Sequence, residues 1–330
     1  MERRSFIKHT GLAGILAAAS APAFAQSAPE VKWRLASSFP KSLDTIFGGA
    51  ELISKRVAAA TNNKFRIQVF AGGEIVPPFG VVDAVQNATV QCAHTAPYYF
   101  FGKDPTFAFG TAIPFGMTSR QQNAWMLHGG GRQLFNDFLK EYNIVSFGAG
   151  NTGAQMGGWF RKEIKTVADL KGLKFRVGGT GGLPLQKLGF YKVAKFYYYP
   201  GWWEGGPELD LFVNNKAFNE LPKEYQNILE SACHEANLSM MAKYDAVNPP
   251  ALKRLIANGV KLQPFSNDIM AACYKATQEV YDDIAGKNAK FKTIYEPWKK
   301  FRSEQVEWFA VSENSFDTFM RAAQRMGQKR

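Results

Sequence analysis

The residues best equipped for chemistry lie between positions 151 and 204, and the foremost is Arg176. It stands in Lys171-Gly172-Leu173-Lys174-Phe175-Arg176-Val177, with Gly178-Gly179 directly after. On an extended chain, alternation puts Leu173, Phe175 and Val177 on one face and Lys174 and Arg176 on the other. A guanidinium there offers a carboxylate two parallel hydrogen bonds, which a lysine ammonium cannot imitate. The glycines allow backbone or ligand to approach closely. Two readings stay open: a carboxylate clamp, or an ordinary solvent-facing arginine on an edge strand. Asn151-Thr152-Gly153-Ala154-Gln155 is a polar, small-residue loop ahead of an apolar stretch. Such loops at strand ends hold ligands in α/β folds, or simply turn the chain. Tyr98-Tyr99-Phe100-Phe101-Gly102 and Tyr197-Tyr198-Tyr199-Pro200-Gly201-Trp202-Trp203 are dense aromatic runs. Part of each must be core, and part can wall a pocket in which tyrosine hydroxyls donate to an acid. Glu204 follows, placed to hold a cation or to face water.

Other chemistries find little support. There is no Gly-x-Ser-x-Gly, His-Glu-x-x-His, dinucleotide fingerprint or P-loop, and Gly178 to Gly182 lacks the Lys-Ser/Thr of a phosphate cradle. The acids Asp282-Asp283 and Glu208 with Asp210 have no nearby histidine and are read as solvated. His94, His128 and His234 are too scattered for a histidine metal site. Cys92, Cys233 and Cys273 fit neither a disulfide framework nor a zinc motif, and buried free thiols are expected.

The elements that must position these residues follow from periodicity. Val31 to Ala36 alternates as a strand, Leu43 to Ala60 has helical spacing, and Phe65 to Phe70 is a second strand. A short helix at Val81 to Val85 and a strand from Val90 to Ala93 complete a βαβαβ unit with parallel strands. Further strands are expected at Ile144 to Phe147, Gln155 to Phe160, Leu173 to Val177 and Leu209 to Val213, with a short helix at Val167 to Leu170. Helical spacing then dominates over Tyr225 to Tyr244, Ala251 to Ala257, Ile269 to Ile284, Tyr295 to Trp308 and Phe316 to Ala323. Pro249, Pro250, Pro264 and Pro297 punctuate it. An α/β front with a helical back suits a chain that crosses between two lobes.

The head of the chain sets the compartment. Arg3-Arg4-Ser5-Phe6-Ile7-Lys8, a short alanine-rich apolar run and Ala23-Phe24-Ala25 read as a twin-arginine (Tat) export signal cut after Ala25. The run is too short to span a bilayer. A periplasmic protein of two α/β lobes is therefore expected. The net charge of +12 is spread along amphipathic segments without a Lys/Arg block, which favours small anions over nucleic acid.

Taken together, Trp33 through Pro40, Tyr98 through Phe115, Asn151 through Arg161, Asp169 through Val177 and Tyr197 through Pro207 carry a resemblance over nearly all of the mature chain. It resembles the extracytoplasmic solute receptors of tripartite ATP-independent periplasmic (TRAP) transporters, the DctP family, and within them the 2-oxo-acid (alpha-keto acid) receptors. The resemblance implies a type II-like, two-lobed α/β binding protein, not an enzyme, closing on a small 2-oxo or 2-hydroxy monocarboxylate. It implies a signal peptide at 1–25, a first lobe at 26–150 with a return at 206–260, and a second lobe at 151–205 with a return at 261–290. C-terminal helices at 291–330 would serve a homodimer. It places the carboxylate grip on Arg176 and the residue shared by ligand and cation (Na+ or Ca2+) on Gln155. Asn151, Tyr99, Phe100, Phe101 and Trp203 are further candidate contacts, and Glu204 joins Gln155 as a candidate metal ligand. The small and large TRAP membrane subunits are the implied partners.

One departure stands out. After the arginine strand, relatives run through a helix, a strand, another helix and an acidic-aromatic loop with a Glu-Trp pair before a Lys-Leu-Gly-Phe segment. Here Leu183-Pro184-Leu185-Gln186 passes directly into Lys187-Leu188-Gly189-Phe190. An internal deletion near Gln186/Lys187 is expected, leaving the second lobe incomplete, with weakened or absent cation-coupled binding. The alternatives are a secreted α/β enzyme acting on an organic acid, and a degenerate receptor that has lost its ligand.

Overall fold

The computed structural model describes residues 29–173 and 194–327. The head with its Tat motif and the 174–193 stretch, including Arg176 and the Gln186/Lys187 junction, lie outside the described residues.

β1 (Val31–Ser37), α1 (Asp44–Ala60) and β2 (Phe65–Phe70) form first, and their cause is plain in the sequence. Phe47, Ala50, Ile53 and Val57 recur at helical spacing and bury one stripe of α1. α2 (Val81–Gln86) leads to β3 (Cys92–Thr95). β1 pairs in parallel with both β2 and β3. α3 (Ser119–His128), opened by a Thr118/Gln121 capping box, and α4 (Gly131–Leu139) precede β4 (Ile144–Asn151). β5 (Gly158–Phe160), β6 (Phe196–Tyr199) and β7 (Glu208–Asn214) follow.

Two sheets result. The larger has the order β2-β1-β3-β7-β4, and β7 is antiparallel to both neighbours. A strand late in the chain is thus inserted between two early ones. The smaller sheet is β5-β6-β8, with β8 at Lys261–Pro264. Phe107, Trp125, Phe135 and Phe212 centre the larger core. Phe160, Ile164, Tyr198, Phe265 and Ile269 form a second core on the smaller sheet.

The helical back comprises α5 (Asn215–Asn219), α6 (Lys223–Ala257), α7 (Asn267–Lys287), α8 (Ala289–Val311) and α9 (Glu313–Gly327). Phe291 and Trp298 of α8 pack on Phe109, at ring-centroid distances of 4.8 and 5.9 Å, which anchors this helix to the first core.

Four expectations need correction. Pro249 and Pro250 do not divide α6, which runs through both. Each proline withholds one N–H, but residues 246–250 are exposed, so carbonyls left without donors can meet water. The strand expected at Gln155 to Phe160 begins only at Gly158, because residues 152–157 turn toward the loop around Gly201. Glu208 and Asp210 are not solvated acids: both are 1% exposed, since β7 is an interior strand. Of the free thiols, Cys92 and Cys233 are buried, whereas Cys273 is only half-buried.

Candidate functional site

A cavity of about 620 Å³ opens between the two sheets. β4 ends at Asn151 and hands the chain to Thr152, Gln155 and Met156, while Gly206-Pro207 brings it back into β7. Strand ends and crossings therefore build the site, as sheet topology requires in α/β folds. Its first wall is Phe39, Tyr98, Tyr99 and Leu209; the second is Gln155, Met156, Tyr197 and Glu204. Helix α6 closes the side with Tyr244, Asn248, Leu252 and Leu255, spaced at i, i+4, i+8 and i+11, with Asp245 beside them.

Backbone bonds lace the 155–157 loop to the 198–204 segment. Gln155 N–H donates to the Glu204 carbonyl at 3.0 Å, Gly201 N–H to the Gln155 carbonyl at 2.9 Å, and Gly157 N–H to the Tyr198 carbonyl at 2.7 Å. Gly201 is required there: a Cβ would meet the Gln155 and Met156 carbonyl oxygens at 2.6 and 2.7 Å. Gln155 and Glu204 are consequently fixed side by side. The Gln155 amide donates to Thr152 Oγ1 at 2.6 Å, so its carbonyl oxygen is the end left to accept or ligate.

Glu204 is only 9% exposed, and Tyr98 OH donates to its Oε1 at 3.0 Å. Burial raises its pKa, and the tyrosine bond offsets this only in part. Burial and the Glu204 charge likewise push the Tyr98 hydroxyl up, so it stays a donor. Tyr98 stacks on Tyr99 at 5.0 Å. Tyr197, stacked on Trp159 at 4.1 Å, is raised by burial to about 12, as is Tyr244. The cavity thus offers hydroxyl donors, the amides of Gln155 and Asn248, and a buried carboxylate without a compensating cation among the described residues.

The expected site residues among the described ones fall in four places. Gln155, Tyr99 and Glu204 line this cavity. Asn151 lies just behind it, fully buried, donating to the Gly206 carbonyl at 3.1 Å and accepting from Gly153 N–H at 2.9 Å, where it ties the outgoing crossing to the returning one. Phe100 is 3% exposed and sits in the first core against Phe107 and Phe212. Phe101 and Trp203 line a neighbouring apolar cavity of about 520 Å³ that shares Tyr98 and Glu204 with the first. Arg176 is outside the described residues. Tyr98, Thr152 and Tyr197 lay within flagged stretches but were not singled out, whereas Tyr244 and Asp245 carried no local signal. No group of three His, Cys, Asp or Glu side chains among the described residues could hold a metal unaided.

Two α/β lobes joined by crossing segments, with a polar cavity between them and long C-terminal helices, define a solute-binding architecture. The chain belongs to the bacterial extracellular solute-binding proteins, family 7 (DctP), whose model matches residues 36–183 and 182–288. It is 46% identical over 331 residues to the monocarboxylate 2-oxoacid-binding periplasmic protein of Nostoc sp., covering 90% of this chain and 91% of that one. A TRAP transporter solute-binding protein from Bordetella bronchiseptica shares 43% identity at a TM-score of 0.86, covering 91% of this chain and 99% of the other. That structure is a dimer, with calcium and picolinate in one active site and an apo site in the other. A relative from Pseudoalteromonas atlantica, with bound sodium and pyruvate, shares 31% identity at a TM-score of 0.82, covering 87% of this chain and 98% of its own. The protein is a periplasmic transport receptor and not an enzyme.

Proposed function

We propose that this receptor captures a small 2-oxo or 2-hydroxy monocarboxylate, in the class of pyruvate, and delivers it to the membrane subunits of a TRAP transporter. The observation that carries this reading is the backbone pairing of Gln155 with Glu204 at the cavity, where Tyr98 donates to the Glu204 carboxylate. A 2-oxo acid presents two hard oxygens on adjacent carbons and suits a cation that bridges ligand and protein. Gln155 Oε1 and the Glu204 carboxylate are the groups to hold Na+ or Ca2+. The fit is chemical: Glu204 is a buried acid whose pKa burial has raised, with no positive side chain among the described residues acting on it. Ca2+ takes six to eight oxygens, so ligand and water must complete its shell. Arg176 supplies the clamp on the carboxylate, and Tyr99 the facing wall.

A second reading is a receptor of reduced affinity, lacking part of its second lobe. The family match breaks into two segments that meet at 182–183. The alignment to the Nostoc protein runs over 331 residues while using 90% of this 330-residue chain, about 297, so about 34 positions there face no residue here. These facts support a segment missing near the Gln186/Lys187 junction.

Titration calorimetry of the mature chain with pyruvate, with and without Ca2+ or Na+, separates the readings. Cation-dependent binding that Arg176→Ala abolishes, with the fold retained, supports the first. Binding absent in the chain as it stands, but gained when a segment of the relative is spliced in at the junction, supports the second. Unchanged binding in Arg176→Ala refutes the clamp.

We also infer a homodimer formed through the C-terminal helices. Trp308, Val311, Phe316, Phe319 and Met326 expose a run of apolar surface on α8 and α9 that suits a second copy.

A further inference from the structure

The interior of the first sheet holds a second ionisable centre, remote in role from the cavity. Glu208 and Asp210 project from the same face of β7, two residues apart, with both side chains sealed from solvent. Their surroundings are short of donors. Ser146 Oγ of β4 donates to Asp210 Oδ2, but no donor among the described residues reaches either Glu208 oxygen or Asp210 Oδ1. Buried carboxylate oxygens left in this way are costly, and the cost is greatest when the carboxylates are charged. Space is equally limited. A Cβ on Gly148 would collide with Glu208 Oε1, so a larger residue there requires the buried carboxyl to move. The β4–β7 register slips between Gly148 and Gly150 at this same place. The bulge and the glycine are thus shaped around the Glu208 carboxyl.

Charge balance decides the occupant. The cation that acts on the pair is Arg132 of α4, whose Nη1 donates to the Ser146 carbonyl at 3.2 Å and whose guanidinium lies 5.9 Å from the Phe147 ring centre. Two carboxylates against one guanidinium carry an excess negative charge in the core. Cys233 and His234 of α6 are the other titratable groups that feel Arg132, and burial holds both neutral at pH 7 to 8, the thiol pushed above its usual range and the imidazole pulled below. Neither can neutralise the excess. One proton can.

We propose that Glu208 and Asp210 form a buried proton-binding site, sharing a single proton at neutral pH and so tying the stability of the two crossing strands to pH. With Glu208 protonated, its hydroxyl becomes the donor that the pair otherwise lacks, and it serves the neighbouring Asp210 carboxylate. Burial and mutual repulsion both hold the Glu208 carboxyl well above its usual range. The site matters to the receptor because β4 and β7 are the strands from which the chain leaves for, and returns from, the second sheet.

The sign follows from linkage. The folded protein retains a proton that the unfolded chain, with ordinary carboxylates, has released above about pH 5. Stability must therefore fall as pH rises through neutrality. The test is thermal unfolding of the full mature chain and of Glu208→Gln between pH 7 and 8, where histidines in the unfolded chain are mostly neutral and contribute equally to both proteins. Calorimetry in buffers of different ionisation enthalpy counts the protons released. The wild type is expected to lose thermal midpoint with rising pH and to release about one proton more than the variant. Equal slopes and equal proton counts would overturn the proposal. Should Glu208→Gln not fold, infrared spectroscopy of the wild type decides. A protonated carboxylic acid band at pH 7.5 that persists in Glu204→Gln upholds the site, and its absence sinks it.

Discussion

At the residue scale, the pairing of Tyr98 with Glu204 is the most exposed point of the functional reading. The phenol is the hydrogen-bond donor seen at this carboxylate, at 3.0 Å, and it is held in place by its stack on Tyr99. Tyr98→Phe keeps the stack but removes the donor, at a cost of about 1–3 kcal/mol for a buried acceptor left short. Calorimetric titration with pyruvate and Ca2+ should show weaker binding in this variant, with thermal unfolding moved only modestly. Undiminished affinity would remove Tyr98 from the site. Gln155 and Tyr99 were legible in the sequence because each sits in a distinctive stretch, a polar loop or an aromatic run. Phe100 and Phe101 show the limit of that signal. Four adjacent aromatics starting a short helix cannot all face one way, so the turn sends Phe100 into the core and Phe101 to the neighbouring cavity. Glu208 and Asp210 were misread for a related reason: acids suggest water until the sheet order makes their strand an interior one.

At the element scale, β3 carries a built-in acid sensitivity. His94 is fully buried, and burial pulls its imidazole down to about 4 from the usual 6.5, against a smaller opposing contribution from the Ala149 backbone. The unfolded chain therefore takes up a proton between pH 6.5 and about 4 that the folded chain refuses, so stability falls as pH drops through this window. The loss should reach roughly 1–3 kcal/mol near pH 4.5. Thermal midpoints at pH 7 and pH 5, compared between wild type and His94→Gln, measure it. A variant as acid-sensitive as the wild type would place the effect elsewhere. The elements themselves were read with uneven success. β1, α1 and β2 emerged because alternation and helical spacing are unbroken there. β6 was hidden because Phe196 to Tyr199 is aromatic at every position, with no alternation to detect. α3 and α4 were also passed over. In α3 the buried Gln121 and Gln122 blur the apolar stripe that marks a helix.

At the scale of the whole molecule, the proposed homodimer would seat a second copy on the exposed apolar surface of α8 and α9. Light scattering of the mature protein should give a dimer, and Phe316→Glu with Phe319→Glu should give a monomer that still folds. A wild-type monomer would refute the dimer. The order of the larger sheet has a further consequence, for the sequence of events in folding. β4 pairs with β7 alone, and β7 lies more than fifty residues downstream, beyond the second sheet's first strands. When synthesis reaches Asn151, β3 and β4 have been made but the strand that joins them has not. The first lobe therefore cannot finish its sheet until the chain has travelled through the second lobe and returned. Long-range pairing of this kind is slow and leaves strand edges open meanwhile. The two lobes share one folding timetable, set by the arrival of residues 208–214.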